Sequence, residues 1–243
     1  MSDVKPKPHF DHHVRNLILT LIITPIILVV ALLCLAFVIK ILARSERINK
    51  GDYSLQTSTS LKTIPPTYQG ERKKLIEGEN NPSFGASDPT VTIVEFSDFA
   101  CPFCKASFPA LREVSLRHQD QVKIIFRDWP GHTFSVPLAL AAHCTAEQGK
   151  FWEMHDKLFQ NQSDTYGSDK NQLALLTQQL GIYNEQFQQC FDSQKYLPLI
   201  RKNFTDSESL GVGGTPTWFI NGEKIEGQLS ATDLEKIISP YLK

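Results

Sequence analysis

An α/β domain, with a helical block inserted into one sheet and a single apolar helix ahead of it, is what this sequence predicts. Three observations carry that expectation. Short β-branched and apolar runs at Val91–Phe96, Val122–Phe126 and Thr217–Ile220 read as buried strands. Between the second and third of them, apolar residues recur at helical spacing for most of the interval. Nearer the N-terminus, Leu17 to Ile39 is a run of 23 residues without a charge.

Residues 1–16 form a short flank, and 17–39, bounded by Arg15 and Lys40, the apolar segment. At about 1.5 Å per residue it is long enough to cross a bilayer core of about 30 Å, and Pro25 is tolerable there. A cleaved signal peptide has a shorter apolar core, of about 7–15 residues. Leu33 is too large for the small residue that precedes a lipoprotein Cys34, and Ala43 with Ile41 before it is a weak cleavage signal. An uncleaved transmembrane anchor is expected, with Cys34 a small apolar residue facing lipid or another helix. Lys5, Lys7 and Arg15 on one side against Lys40, Arg44, Arg47 and Lys50 on the other lean toward a cytoplasmic C-terminal domain. Cys144 and Cys190 oppose this, because two cysteines can pair, and paired structural cysteines belong to oxidising compartments. The resulting expectation is a single-pass protein of the inner (cytoplasmic) membrane, its C-terminal domain extracytoplasmic, in the periplasm. A net charge of −1 gives no electrostatic reason to expect nucleic acid.

Residues 40–88 read as a polar linker: Ser, Thr, Asn and Gly are frequent, Pro65-Pro66 breaks any helix, and Arg72-Lys73-Lys74 is a solvated charge run. Lys73 to Glu79 has room for a helical turn or two. The domain itself spans 89–243. Its first strand leads to a helix from Cys101, with Phe108, Leu111 and Ser115 on one face, and then to the second strand. The helical insertion, at about 133–193, opens with the alanine-rich Val136–Glu147. Phe151, Trp152, His155, Leu158 and Phe159 mark a further apolar face, and Leu173, Leu176 and Leu180 continue to a stop at Gly181. Asn184 can cap a helix with Phe187, Cys190 and Phe191 inward, and another helix runs to Leu210 and Gly211. Thr217–Ile220 and Lys224–Glu226 flank Asn221-Gly222, a two-residue hairpin turn signal. Ser230 with Asp233 is a capping box for a last helix, whose face is Leu234, Ile237, Ile238, Tyr241 and Leu242.

The chemistry-bearing motif is Cys101-Pro102-Phe103-Cys104, placed where a strand gives way to a helix. Unpaired N–H groups and the macrodipole at a helix N-terminus stabilise a thiolate, so Cys101 is acidified and the pair can open and close as a disulfide. Half of a zinc site is the alternative. Zinc needs four ligands, and the sequence has no second Cys-x-x-C or His-x-His cluster. His132 and His143 read as surface or packing residues, and neither a metal nor a cofactor is expected. Glu95, with apolar neighbours on both sides, reads as buried rather than solvent-facing, where a carboxylate can accept or relay a thiol proton.

Glu95-Phe96-Ser97-Asp98-Phe99-Ala100-Cys101-Pro102-Phe103-Cys104 resembles the active-site segment of the DsbA-like thiol-disulfide oxidoreductases. Ala141-Ala142-His143-Cys144, Gly149-Lys150-Phe151-Trp152, and Gly214-Thr215-Pro216-Thr217 with Asn221-Gly222 are similar to the same family, in the same order, over about residues 86–243. The resemblance implies a thioredoxin-like fold, with Cys101 as nucleophile, Cys104 as resolving cysteine and Glu95 as the buried acid. It also implies a cis Thr215–Pro216 bond beside the cysteines, leaving the Thr215 backbone to pair with an extended substrate. Phe103 then shapes the substrate-facing rim. The best-known oxidase of the family has a histidine in the intervening pair; Phe103 adds no charge, and a milder oxidant is expected. Cys144 and Cys190, otherwise two buried thiols, are implied to form a structural disulfide. The partners implied are exported proteins bearing thiols and a membrane quinone-linked reoxidising protein of the DsbB or vitamin-K-epoxide-reductase type. A disulfide isomerase or reductase using the same site, and a redox-inert holdase, are the alternative functions.

Overall fold

A computed structural model of the chain describes residues 68–165 and 167–242, with Leu21, Pro25, Ile26, Leu28, residues 30–33 and Ala36. The chain divides into two compact units, 1–57 and 58–243. In the first unit the described residues are helical and exposed. Most of the anchor expected over 17–39, Cys34, and the linker up to residue 67 lie outside the described residues. Among the described residues no helix is long and apolar enough to cross a membrane.

The second unit opens with α1 (Gly70–Glu77) and β1 (Ser83–Gly85), then β2 (Val91–Ser97), α2 (Pro102–Arg117) and β3 (Val122–Asp128). Helices α3 (Ser135–Ala146), α4 (Phe151–Gln160), α5 (Gln162–Thr165), α6 (Lys170–Gln178), α7 (Asn184–Asp192) and α8 (Leu197–Ser209) follow. The chain closes with β4 (Thr217–Ile220), β5 (Glu223–Glu226), α9 (Ala231–Ile238) and a short 3₁₀ turn at Ser239–Tyr241. The sheet order is β1-β3-β2-β4-β5, and only the central β2–β3 pair is parallel. A parallel pair needs a crossover, which α2 supplies. This is the thioredoxin-like α/β arrangement with helices between β3 and β4.

Strand side chains alternate between faces. Val91 and Ile93 of β2 pack with Val122 and Ile124 of β3 and Trp218 and Ile220 of β4 under α2 and α9. Val94, Phe96, Ile125 and Phe219 point the other way, onto Tyr68, Ile76, Leu210 and Val212. A third cluster fills the helical block and reaches the N-terminal end of α2. The Asn221-Gly222 turn has both residues at positive φ (46° and 85°), as a two-residue hairpin demands. The Ser230–Asp233 capping box is formed, whereas Asn184 is the first residue of α7 and Tyr183 occupies its cap position.

One expected boundary moves. The polar linker does not extend to residue 88, because the chain is folded onto the sheet from Tyr68 onward. Tyr68 and Ile76 are buried in the second face, and β1 adds an antiparallel edge to β3. Tyr68 lies so close over Gly222 that a Cβ there would fall 2.5 Å from its ring. Fully buried Arg127 completes the clamp: its guanidinium donates to Leu75 O and Ile76 O (both 2.9 Å), Asn203 Oδ1 (2.8 Å) and Asp206 Oδ2 (2.6 Å). The helix expected to run to about Leu210 is α8, which ends at Ser209 and supplies Asn203 and Asp206 to that clamp.

Candidate active site

β2 ends at Ser97, and after four intervening residues the chain enters α2 at Pro102. Asp98 shapes that turn. Its buried carboxylate accepts from the Ala100 N–H (2.9 Å), the Gly131 N–H (3.0 Å), the Ser135 hydroxyl (2.7 Å) and His132 Nδ1 (2.7 Å). Cys101 caps α2 in an extended conformation and Pro102 takes the first helical position, where a missing N–H costs nothing.

Both thiols of the motif are free in this structure. Cys101 keeps 3% of its surface and Cys104 none, so their difference rests on electrostatics more than on exposure. A hydrogen bond from the Cys104 thiol lowers Cys101 to about 5, helped by the Thr215 side chain and the N–H groups of Cys104 and Phe103 and opposed by burial. Those N–H groups favour a thiolate although Sγ makes no full capping hydrogen bond. Cys104 moves up instead, through burial first, then its bond to Cys101 and the negative charge of Glu95. The two sulfurs are thus pushed in opposite directions, Cys101 down and Cys104 up.

Glu95 is fully buried on the β2 face beneath α2, between Phe126 and Trp218 on the adjoining strands. Among the described residues neither carboxylate oxygen has a hydrogen-bond partner. Desolvation raises it to about 8, the Ser97 hydroxyl opposing and Cys101 adding to the rise. A carboxyl poised near neutrality within reach of a buried thiol's field can exchange a proton with it.

The opposite wall is the Thr215–Pro216 bond, which is cis. Cys101 Sγ donates to the Thr215 carbonyl at 3.3 Å, so in the dithiol form that carbonyl faces the nucleophile. Phe103 stands 59% exposed at the rim. The structure thus brings Glu95, Cys101, Cys104, Phe103, Thr215 and Pro216 together. Cys144 and Cys190 lie apart, joined as a disulfide between α3 and α7 with Cα atoms 5.7 Å apart. His132 binds Asp98, and buried His143 meets Asp128 Oδ2 through Nε2 at 2.8 Å; neither joins a group that could hold a metal among the described residues.

Sequence reasoning missed two residues. Asp98 was inside the quoted motif without a role, although an acid directly after a strand is a ready acceptor for the turn's N–H groups. Gln162, 61 residues from Cys101, donates to Cys101 O at 2.9 Å and Phe99 O at 2.8 Å. No local pattern marks it.

The family model described as Thioredoxin matches residues 77–239. Among curated relatives, the Na(+)/H(+) antiporter NhaA 1 of Mycolicibacterium vanbaalenii is 33% identical over 164 residues, covering 65% of this chain and 26% of the antiporter. The chain therefore spans about a quarter of the length of the curated relatives it matches. Among solved structures, BdbD from Bacillus subtilis, in its oxidised form, is 27% identical with a TM-score of 0.59, over 66% of this chain and 92% of that one. The thiol-disulfide exchange protein alpha-DsbA2 from Wolbachia pipientis shares the fold at a TM-score of 0.62 and 22% identity, over 73% and 94% of the two chains. With a dithiol at a helix N-terminus facing a cis-proline loop, and with the Thioredoxin model matched over residues 77–239, this chain belongs to the thioredoxin family.

Proposed function

We propose that this protein donates its Cys101–Cys104 disulfide to thiols of exported proteins, working from a membrane anchor at Leu17–Ile39. The observation that carries the reading is the opposed proton affinity of the two sulfurs, low at Cys101 and high at Cys104, across a dithiol that faces the Thr215 carbonyl. A substrate thiolate attacks Cys101 Sγ of the oxidised enzyme, forming the mixed disulfide, and Cys104 departs and takes up a proton. The raised carboxyl of Glu95 is placed to supply it. A second substrate thiolate then attacks the substrate sulfur, and Cys101 leaves as the favoured thiolate. Two substrate thiols are oxidised and the enzyme disulfide is reduced. A membrane quinone-linked protein of the DsbB or vitamin-K-epoxide-reductase type would restore the disulfide. Thr215, Pro216 and Phe103 form the wall and rim against which an extended substrate lies.

Equilibration of the Cys101–Cys104 pair with glutathione tests the direction of transfer. A potential above about −180 mV supports donation, and one near about −270 mV replaces it with a reductase.

A further inference from the structure

Gln162, at the start of α5 and 8% exposed, gives both hydrogens of its amide to the turn that carries the nucleophile. Its orientation is set by its partners: only the NH₂ end can satisfy two carbonyl oxygens, and a flipped amide would place oxygen against oxygen. The carbonyls it meets belong to Phe99 and to Cys101 itself, either side of Ala100, whose own N–H is held by Asp98. Cys101 O also accepts the first hydrogen bond of α2, from the Lys105 N–H at 3.1 Å. The strand-to-helix turn is therefore gripped by a carboxylate on its donors and by an amide on its acceptors.

We propose that Gln162 is a positioning residue for Cys101, through which the inserted helical block holds the sulfur at the N-terminus of α2. The inference rests on the reading of Cys101 as the nucleophile. Carbonyl oxygens are partial negative charges, and those beside a thiolate oppose it unless a donor offsets them. Without the amide, two buried acceptors lose their partner, and the turn must shift to recover one. Such a shift carries the sulfur away from the N–H groups of Phe103 and Cys104 that favour its ionised form. The titratable groups that interact with Cys101 are Cys104 on α2 and Glu95 on β2; the Asp98–His132 pair flanks the turn, and His155 on α4 lies edge-on to Phe99. Gln162 is uncharged, so its effect is separable from theirs.

The test is the pH profile of iodoacetamide labelling in the reduced protein, with the labelled cysteine mapped by mass spectrometry. Wild type should label at Cys101 with an inflection near 5. Labelling at Cys104 instead would sink the nucleophile reading, independently of Gln162. Gln162→Leu should raise the Cys101 inflection by about one pH unit, a tenfold loss of thiolate at low pH. Gln162→Glu should raise it further, since a carboxylate sets negative oxygens against both carbonyls. Should the leucine variant fail to fold, Gln162→Met, of similar length and without a donor, carries the measurement. Folded variants whose inflection stays at the wild-type value overturn the inference, whether or not their melting temperature falls.

Discussion

All four cysteines of the second unit sit in one apolar cluster, yet the two pairs behave differently, and burial does not distinguish them. Cys144 and Cys190 are joined across 46 residues, on separate helices, with apolar neighbours. Cys101 and Cys104 share one helical turn, with an N-terminus at one sulfur and an unpartnered carboxyl near the other. The comparison teaches that reactivity here is made by the charges surrounding a sulfur. The Cys144–Cys190 bridge ties two helices together, whereas the Cys101 and Cys104 thiols are pushed in opposite directions.

The sharpest way to break this comparison is to remove one sulfur at a time. Cys104→Ala should accumulate substrates as mixed disulfides on Cys101, seen as adducts on a non-reducing gel of protein recovered from cells. Cys101→Ala should reduce exchange to background and give no adducts; adducts held through Cys104 would reverse the assignment. Cys144→Ala should do neither. It should keep exchange while losing about 4 kcal/mol of stability in denaturant melts, the chain-entropy value for a loop of this length.

The next effect separates the charges themselves. In the reduced protein Glu95 is raised from 4.5 to about 8, so between those values the native state holds a proton the unfolded chain has lost, and stability falls as pH rises. Cys101 is lowered from 9.0 to about 5, so over that window the unfolded chain holds the additional proton, and stability rises with pH. The slopes oppose at about 1.4 kcal/mol per pH unit each, and reduced wild type should be nearly flat between about pH 5 and 8. Denaturant melts of Glu95→Gln should show stability rising across that range, and those of Cys101→Ala should show it falling. A flat profile in both variants would mean that neither group is perturbed by its surroundings. The smallest change is at the rim: Phe103→His, charged below about pH 6.5, should raise the reduction potential by on the order of 30 mV, measured against glutathione.

Much of the site was legible because its parts announce themselves locally. A Cys-x-x-C after a strand, a proline between glycines and a strand, and an Asn-Gly between two strands each prescribe a backbone geometry over a few residues. The hairpin followed from its own turn residues, and the cis bond from the family resemblance. The strap from Tyr68 to Gly85 was hidden because its two buried anchors, Tyr68 and Ile76, are spaced among charges that satisfy no period. Arg127 falls just beyond the run Val122–Phe126 that the sequence marks as a strand; its partners Leu75, Ile76, Asn203 and Asp206 are brought to it only by the completed fold. Gln162 was invisible for the same reason. What a sequence withholds is the long-range polar contact, whose partners share no spacing.

The strap places the domain's point of attachment. Tyr68 is pinned over the Asn221-Gly222 turn, which bonds Thr90 and Thr92 at the start of β2, while the dithiol lies beyond the other end of that strand. Seven residues of strand put the two poles about 20 Å apart. A pull on the chain ahead of Tyr68 therefore meets the Asn221-Gly222 turn first, at the far pole from the sulfurs, before α1 and the Arg127 clamp at the dithiol end of the sheet. A change in the chain ahead of residue 68 should therefore leave the reactivity of Cys101 untouched as long as the Tyr68 contact is kept.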